Sequence, residues 1–280
     1  MPELPEVETI VRGLDPLVRG RRIEAIWWSG QGLHLGRKVD LRRLRAVAVG
    51  RAIVGVRRRG KYILVEVDGG RQGAGAGEGI IIHLGMTGRL RVQPKVAVRV
   101  PHTHVVLALA GGDELRFVDA RRFGWVTPGR PIAGDAALVA LGPDPLTELD
   151  APALAAALGA ARTPIKAFLL DQRRIAGLGN IYVAEVLFRV GAHPATPARR
   201  LARRADELLA AVRAALESGI ARRGTTLRDY VDIDGERGDN LSALRVYGRE
   251  GEPCLQCGTS IRRRVDGGRA TFFCPRCQRR

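Results

Sequence analysis

The sequence has no cysteine before Cys254 and no apolar stretch long enough to cross a membrane. The missing thiols exclude a framework of disulfide bonds over most of the chain. No signal peptide precedes the acidic amino terminus. Together these absences predict a cytoplasmic protein with no membrane partner.

Acidic residues are scarce relative to basic ones. The chain has 29 Asp and Glu against 46 Lys and Arg, which gives a formal net charge of +17. A surplus of this size indicates either a surface that binds phosphates or a means of staying soluble. The length of 280 residues is enough for two domains that each bury a core.

The first nine residues, MPELPEVET, contain two prolines and three acids. Apolar residues recur at helical spacing directly afterwards, so an amphipathic helix is predicted to begin near Pro5. Glu3 and Glu6 then lie three residues apart at the positive end of the helix dipole. An ordinary helix start with acidic capping explains all of these residues.

A chemical interpretation explains the same residues equally well. If Met1 is removed, Pro2 becomes a free secondary amine, and an α-amino group has a reference pKa of about 7.7–8.0. The neutral amine can attack an aldehydic carbon, and the iminium that forms acts as an electron sink. Glu3 lies beside it in the sequence and can transfer protons.

The first half of the chain has the short β-like runs of a strand-rich domain. Gly111-Gly112-Asp113 is predicted to form a hairpin turn, and the glycine-rich stretch Gly69–Gly79 a flexible loop with no assigned function. The predicted strands are Arg22–Trp28, Val47–Arg59, Tyr62–Val67, Ile80–Leu84 and Val105–Leu109.

The second half of the chain has helical periodicity instead. Pro and Gly cluster without a period at Thr127–Asp150, which predicts a linker there. Ala- and Leu-rich patterns follow it. The predicted helices are Ala151–Leu158, Pro164–Leu170, Ile181–Val190 and Ala198–Ala221.

Four cysteines stand as two Cys-x2-Cys pairs separated by sixteen residues: Cys254, Cys257, Cys274 and Cys277. This spacing is typical of two knuckles around one tetrahedral Zn²⁺, and a full set of protein ligands makes the metal structural. Strand-like runs on either side of Gly267-Gly268 predict a β-hairpin finger, with strands Ile261–Val265 and Ala270–Phe273. The predicted domains are residues 1–130, a linker at 131–150, a helical domain at 151–243 and the finger at 244–280.

Several motifs occur in a fixed order along the whole chain: Met1–Thr9, Arg59–Tyr62, His83–Gly88, Asp119–Gly124, Gly177–Tyr182 and the four cysteines. In these motifs and their order the chain resembles the formamidopyrimidine-DNA glycosylase family. Leu4-Pro5-Glu6 resembles this family more than the related endonuclease VIII branch, where glycine usually follows the first Pro-Glu. The resemblance implies an α+β fold: a β-sandwich with an amino-terminal helix, then a helix–two-turns–helix domain that ends in the zinc finger.

The resemblance also implies how the site works. Pro2 is expected to attack C1′ of the damaged nucleoside, while Glu3 handles protons. Lys61 is expected to reach the damaged nucleotide, and Arg269 of the finger to bind phosphate and aid elimination. DNA is expected to lie in a basic cleft between the domains.

Three residues match those that the family inserts where the damaged base has left the stack: Met86, Arg121 and Phe123. Flipping a base costs about a few kcal/mol, so side chains that fill its place have a physical purpose. Core packing also explains a lone methionine and two aromatic residues, and the motif favours insertion for Phe123 and core packing for Trp125. Further DNA contacts are expected from His102, Arg162, Lys166 and Asn180.

The expected function is removal of oxidised purines, namely formamidopyrimidines and 8-oxoguanine, from duplex DNA, followed by β- and δ-elimination. A structural zinc ion is the only cofactor expected, and damaged double-stranded DNA is the expected partner of a monomeric protein. Two alternatives remain open. One is an oxidised-pyrimidine glycosylase of endonuclease VIII type, and the other is a noncatalytic zinc-finger protein that binds damaged or bent DNA.

The chain departs from the family in the segment expected to cover the flipped base. Arg237 stands where family members often have proline, and Asp239 and Asn240 stand where aromatic residues are common. Without proline the loop samples more conformations when unbound, so ordering it on the lesion costs more. We therefore expect weaker recognition of 8-oxoguanine than of formamidopyrimidines.

Overall fold

A computed structural model describes residues 1–34, 36–69 and 77–279. The chain divides into two compact units. The first comprises Met1–Ala140 and Arg223–Asp239, and the second comprises Leu141–Arg222 and Asn240–Arg280. Among the described residues, none of the helices is both long enough and apolar enough to span a membrane.

The first unit is a β-sandwich preceded by helix α1 (Leu4–Val18). One antiparallel sheet has the strand order β1-β6-β7-β5, and the other has the order β2-β3-β4-β8. Both sheets contribute side chains to a single core, which confirms the predicted sandwich. The strands are β1 (Ile23–Trp28), β2 (Ile53–Arg59), β3 (Tyr62–Val67), β4 (Glu78–His83), β5 (Arg89–Pro94), β6 (Thr103–Leu109), β7 (Asp113–Val118) and β8 (Trp125–Gly129).

Helix α1 forms where the periodicity predicts it. Pro5 lies in its first turn, where the missing N–H leaves no hydrogen bond unmade. One face buries Val7, Ile10 and Leu14 in the core of the sandwich, while Glu8 and Arg12 pair on the more exposed side. The amino terminus is therefore held against the first unit by its own helix.

The prediction of one strand over Val47–Arg59 is wrong. Helix α2 (Leu41–Ala48) occupies the first two of these residues, and β2 begins only at Ile53. The arginines within α2 interrupt its short apolar stripe, so the helical periodicity is hard to recognise in the sequence. Asp40 caps the helix by accepting a hydrogen bond from the Arg43 N–H. Of the predicted loop Gly69–Gly79, residues 70–76 lie outside the described residues, and its last two residues belong to β4.

The segment 223–239 belongs to the first unit, although the sequence placed it in the helical domain. Ile233 joins the core of the sandwich, and its side chain packs closely against Gly13 of α1. A Cβ at position 13 would lie only 2.6 Å from Ile233 Cγ2. This long-range contact leaves no mark in local sequence periodicity.

The second unit is mainly helical. The predicted helix Ala198–Ala221 is divided, because a 3₁₀ turn (Ala198–Arg204) precedes α7. Strands β9 (Arg262–Asp266) and β10 (Arg269–Phe273) form the predicted antiparallel hairpin. The main helices are α4 (Ala151–Gly159), α5 (Ile165–Leu170), α6 (Asn180–Arg189) and α7 (Ala205–Ala221), with the short α3 (Ala136–Val139) in the first unit.

A buried carboxylate joins helix α6 to the chain that leads into the finger. Glu185 is 4 % exposed and accepts hydrogen bonds from the backbone N–H groups of Arg245, Val246 and Tyr247 at 2.8, 3.0 and 2.9 Å. Three donors on one carboxylate fix the start of this segment to α6.

Replacing Glu185 by alanine is expected to destabilise the second unit by about 3 kcal/mol or more, because it leaves three backbone donors without their acceptor. Urea unfolding followed by circular dichroism measures the loss. Glu207→Ala is the matched control, because its carboxylate is exposed and pairs with Arg204, and it should cost less than about 1 kcal/mol. Equal losses in the two variants would contradict this account of Glu185.

Candidate active site and metal centre

The amino-terminal residues form a buried polar cluster. Pro2 is buried, and Glu3 and Glu6 are 4 % and 2 % exposed. Glu6 Oε2 accepts a hydrogen bond of 2.8 Å from the Glu3 backbone N–H. The capping interpretation of these acids and the chemical one are thus compatible, because Glu6 fixes the backbone of the residue next to Pro2.

The terminal amine lies among charged groups. Burial lowers the pKa of the Met1 amine, and the positive charge of Lys61 lowers it further, whereas Glu3 and Glu6 act in the opposite direction. Lys61 itself is 6 % exposed, in the turn between β2 and β3. An amine with a lowered pKa is more often neutral near pH 7, and only the neutral amine is a nucleophile.

The segment 223–239 is fastened to helix α1 through the same carboxylate. Glu6 Oε1 accepts a hydrogen bond of 2.7 Å from the Thr225 N–H. Gly224 has a φ of +85°, and a Cβ there would lie 2.8 Å from Glu6 Cγ, so the position requires glycine on both grounds. The Tyr230 hydroxyl donates to the Arg223 carbonyl at 3.0 Å. The sequence identified Glu6 as a capping residue but gave no sign of this second role.

The segment also carries hydrogen bonds of its own. Asp232 Oδ1 accepts from the backbone N–H groups of Asp234 and Glu236 at 3.0 and 2.9 Å. Thr226 Oγ1 accepts from the Gly238 N–H at 2.9 Å. These three hydrogen bonds lie on both sides of Arg237.

The two positions expected to replace aromatic residues have different surroundings. Asp239 is exposed and forms a β-bridge with Thr225 in the first unit. Asn240 is 3 % exposed and belongs to the second unit, where its side-chain amide lies 3.5 Å from the Tyr182 hydroxyl. Asn240 is thus a buried structural residue in this chain, and only Asp239 faces solvent.

The residues predicted for insertion lie on two loops that one carboxylate holds together. Asp119 is fully buried, and its Oδ1 accepts from the Thr87 hydroxyl at 2.5 Å and from the Arg121 N–H at 3.2 Å. Its Oδ2 accepts from the Gly124 N–H at 2.8 Å. The loop that carries Met86 and the loop that carries Arg121 therefore share an anchor.

The side chains of these loops are accessible. Met86 is 43 % exposed, which excludes a core role for it, and Arg121 is exposed. Phe123 is half-buried, with the Arg121 guanidinium 4.5 Å from its ring centroid. Trp125 is also half-buried, and packs in an aromatic cluster on β8. The three predicted insertion residues therefore lie on two loops joined at Asp119, and each is at least partly exposed.

The two histidines His102 and His104 differ in role. His102 is exposed at a φ of +66°, and its carbonyl accepts from the Asp119 N–H at 3.0 Å. His104 is buried between the Ser29 hydroxyl and the Asp119 carbonyl, and burial lowers its pKa. Of the two histidines, only His102 is exposed.

In the second unit, the glycine-rich turn before α6 is held by one side chain. Gln172 accepts from the Gly177 N–H at 2.9 Å and donates to the Leu178 carbonyl at 2.7 Å. Asn180 then begins α6, and its Nδ2 donates to the Ala270 carbonyl at 2.8 Å. Its Oδ1 is buried and has no hydrogen-bond partner among the described residues.

Lys166 and Arg162 differ in exposure. Arg162 is exposed, as a phosphate contact requires. Lys166 is 4 % exposed, and its Nζ donates to the Ala270 carbonyl at 2.9 Å and to the Thr271 hydroxyl at 2.6 Å. Burial lowers its pKa to about 8. Lys166 and Asn180 thus hold the strand that begins at the exposed Arg269.

The four cysteines form a metal centre. Their sulfur atoms all lie within 4.8 Å of one another, with Cys254 and Cys277 at 3.9 Å and Cys257 and Cys274 at 3.5 Å. Sulfur atoms bound tetrahedrally at about 2.3 Å from zinc lie roughly 3.8 Å apart. The geometry fits one Zn²⁺ with no open position, as predicted.

Family models match three parts of the chain. One described as Formamidopyrimidine-DNA glycosylase N-terminal domain matches residues 1–126, and one described as Formamidopyrimidine-DNA glycosylase H2TH domain matches residues 141–231. A third, described as Zinc finger found in FPG and IleRS, matches residues 251–280.

Curated proteins and solved structures agree with these matches. The chain is similar to Formamidopyrimidine-DNA glycosylase of Rhizorhabdus wittichii, at 48% identity over 100% of both chains, and to that of Moorella thermoacetica, at 46% over 94% of each. The crystal structure of the MutM (Fpg) protein from Thermus thermophilus has a TM-score of 0.85 at 41% identity, covering 99% of this chain and 98% of that one. A Lactococcus lactis Fpg variant in complex with Fapy-dG-containing DNA has a TM-score of 0.88 at 32% identity, over 100% of both.

Because these similarities extend from the buried amino terminus through the glycine-rich turn to the four-cysteine finger, the chain belongs to the formamidopyrimidine-DNA glycosylase family.

Proposed function

We propose that the protein removes oxidised purines from duplex DNA and then cleaves the strand at the resulting abasic site. The observation that carries this proposal is the cluster at the amino terminus, where Pro2, Glu3 and Lys61 are all buried. A noncatalytic DNA-binding protein has no need of buried ionisable groups beside its second residue.

The substrate class follows from the relatives. Similar solved structures include complexes with Fapy-dG-containing DNA, with carbocyclic 8-oxo-G-containing DNA and with DNA that contains an abasic site. The 48% identity of a full-length formamidopyrimidine-DNA glycosylase supports the same substrates here. The net charge of +17 supports a duplex as the partner, through contacts with its phosphates. We propose that one copy of the chain acts alone.

The proposed reaction requires the removal of Met1, which makes the Pro2 nitrogen the terminal amine. The Pro2 nitrogen attacks C1′, the bond from C1′ to the base breaks, and the departing base takes a proton from solvent. The Pro2 nitrogen gives up its own proton to the Glu3 carboxylate, which passes it to the ring oxygen as the sugar opens, and the product is an iminium between Pro2 and C1′. The positive nitrogen is the electron sink for every later step.

Elimination then proceeds in two steps. Loss of the 2′ proton from the iminium expels the 3′ phosphate, which is β-elimination. Loss of a further proton expels the 5′ phosphate, which is δ-elimination, and water finally releases the unsaturated sugar from Pro2. Lys61 assists proton transfer at the damaged nucleotide, and Arg269 binds a phosphate and neutralises part of its charge.

The inserted residues would stabilise the DNA from which the base has been extruded. Met86 would occupy the vacated stack, Arg121 would hydrogen-bond the orphaned base, and Phe123 would wedge between base steps. The shared anchor on Asp119 supports this proposal, because both loops then enter the duplex as a fixed pair. His102, Arg162 and Asn180 are proposed phosphate contacts.

The zinc ion that the four cysteines would hold has no role in the proposed chemistry, because a set of four protein thiolates would leave it no open position. When bound, it holds the two knuckles together and so keeps the hairpin folded. Lys166 and Asn180 then connect that hairpin to the helices through the Ala270 carbonyl, one residue from Arg269. We propose that Lys166 acts through Arg269 and not as a phosphate contact of its own.

The first test separates the two chemical roles at the amino terminus. Glu3→Gln should slow excision of a formamidopyrimidine by about 100-fold or more, since it removes the group that transfers protons. Cleavage of a preformed abasic site should fall much less, because the base has already left. Single-turnover rates on the two duplexes measure this. The control is Glu8→Gln, which lies in helix α1 and alters only the pair of Glu8 with Arg12 and with Arg58 of β2. Equal losses of both activities in Glu3→Gln would contradict the assignment.

The second test concerns the metal. Cys257→Ala should lose zinc and disorder the finger, and affinity for lesion DNA should fall about tenfold or more, because a charge-assisted contact contributes roughly 1.5–3 kcal/mol. Zinc content and DNA affinity are measured together. Gln256→Ala, between the same two ligands, should leave both unchanged. Full DNA affinity in protein that contains no zinc would contradict a structural role for the metal.

The third test concerns lesion choice. Excision of 8-oxoguanine opposite cytosine should be slower than excision of a formamidopyrimidine opposite cytosine, because Arg237 and Asp239 give the covering loop neither a proline nor an aromatic surface. Thr226→Val, which removes the acceptor for the Gly238 N–H, should widen the difference. Single-turnover rates give the ratio. Equal or faster removal of 8-oxoguanine by the unaltered protein would show that the altered loop still caps that base.

A further inference from the structure

The first unit contains a cavity whose lining residues take no part in the proposed reaction. It has a volume of about 470 Å³, which lies within the usual range for small-molecule sites of about 300–1,000 Å³. Its wall includes three aromatic or imidazole rings, two cations and one carboxylate: His34, Tyr62, Trp125, Arg37, Lys38 and Asp135. We refer to it as the aromatic cavity.

The rings of the aromatic cavity belong to one packed cluster. Trp125 stacks on His83 with centroids 4.2 Å apart and planes at 15°, and His34 lies 4.4 Å from Trp125. Tyr62 meets the edge of Trp125 at 5.7 Å. Burial lowers the pKa of His83 to about 4, so the ring behind Trp125 is uncharged at neutral pH. A wall of packed rings is a surface on which a nucleobase can stack.

Three polar side chains of the cavity have atoms that make no hydrogen bond among the described residues. Arg37 and Lys38 are exposed, and within the described parts of the chain their side chains make no hydrogen bond or ion pair. Asp135 caps helix α3 by accepting from the Ala137 N–H at Oδ1, 2.9 Å away. Its Oδ2 has no partner in the described ranges. The cavity thus combines a stacking wall, two free cations and a free carboxylate oxygen.

We propose that the aromatic cavity binds a guanine nucleotide. The base would stack among His34, Tyr62 and Trp125, and the phosphate would bind Arg37 and Lys38. A carboxylate needs donors opposite it, and guanine presents two adjacent donors, N1–H and the 2-amino group. Adenine, cytosine and thymine each place an acceptor next to the donor on that edge, which Asp135 would repel. The site goes beyond the proposed function, because no bond is broken there.

Two sources can supply this chemistry: a free guanosine monophosphate or an unpaired guanine in a DNA strand. Binding of dGMP, dCMP and inorganic phosphate to the full-length zinc protein is measured by calorimetry at low salt. We expect dGMP to bind roughly tenfold more tightly than dCMP, because the two lone pairs of the free Asp135 Oδ2 can accept from both guanine donors, and a pair of hydrogen bonds to a base edge discriminates bases to that extent. Inorganic phosphate should bind more weakly than either.

A conservative variant tests the carboxylate. Asp135→Asn keeps the helix cap, because asparagine caps as well as aspartate, and should reduce the ratio of dGMP to dCMP affinity to about one. Asp150→Asn is the matched control, since Asp150 caps α4 in the same way and does not line the cavity. The ratio should stay unchanged in that variant.

Undamaged duplexes with a single unpaired 3′ dG or dC distinguish the two sources. A preference for dG that disappears in Asp135→Asn identifies the DNA strand as a source, while a preference seen only with dGMP identifies the free nucleotide. The proposal is overturned if dGMP binds no better than dCMP or phosphate, or if the preference survives in Asp135→Asn.

Discussion

The proposed chemistry depends most on the hydrogen bonds that the Glu6 carboxylate accepts. One oxygen accepts from the Glu3 backbone and the other from Thr225, more than two hundred residues later in the chain. A buried carboxylate without these donors would be costly, so both partners are held firmly. The residue next to Pro2 and the segment 223–239 are therefore fixed by a single group. This arrangement makes 223–239 part of the first unit although helices precede it.

Buried polar side chains hold the backbone by hydrogen bonds at three other places in the chain. Asp119 is buried beneath the loops that present Met86 and Arg121, and Glu185 is buried beneath the chain that leads to the finger. Lys166 provides the cationic counterpart by donating to the Ala270 carbonyl beside Arg269. In each case a satisfied buried polar group fixes the backbone, and at Asp119 and Lys166 the nearby side chains of Met86, Arg121 and Arg269 are exposed. Loops that bind DNA in fixed positions lose less entropy on association.

Much of this could be predicted from the sequence, and the limits have physical reasons. Helix α1, strand β3, the finger hairpin and the zinc ligands follow local rules of periodicity, turn chemistry and spacing, and their predicted bounds are close to those observed. Helix α2 was missed because three arginines interrupt its short apolar stripe. The roles of Asp119 and Lys166, and the burial of Asn240, depend on partners distant in the sequence, which no local pattern reports. The catalytic assignment of Pro2 came from the family motif, since nine residues alone support an ordinary capped helix equally well.

The central claim is that Pro2 is the nucleophile, and a covalent adduct tests it most directly. Borohydride reduces the iminium formed with a lesion-containing duplex, and mass spectrometry of the digested complex then locates the attached sugar. The account predicts that the adduct lies on the amino-terminal peptide, at Pro2, in protein that has lost Met1. An adduct on Lys61, or its undiminished formation in protein that retains Met1, would contradict the account.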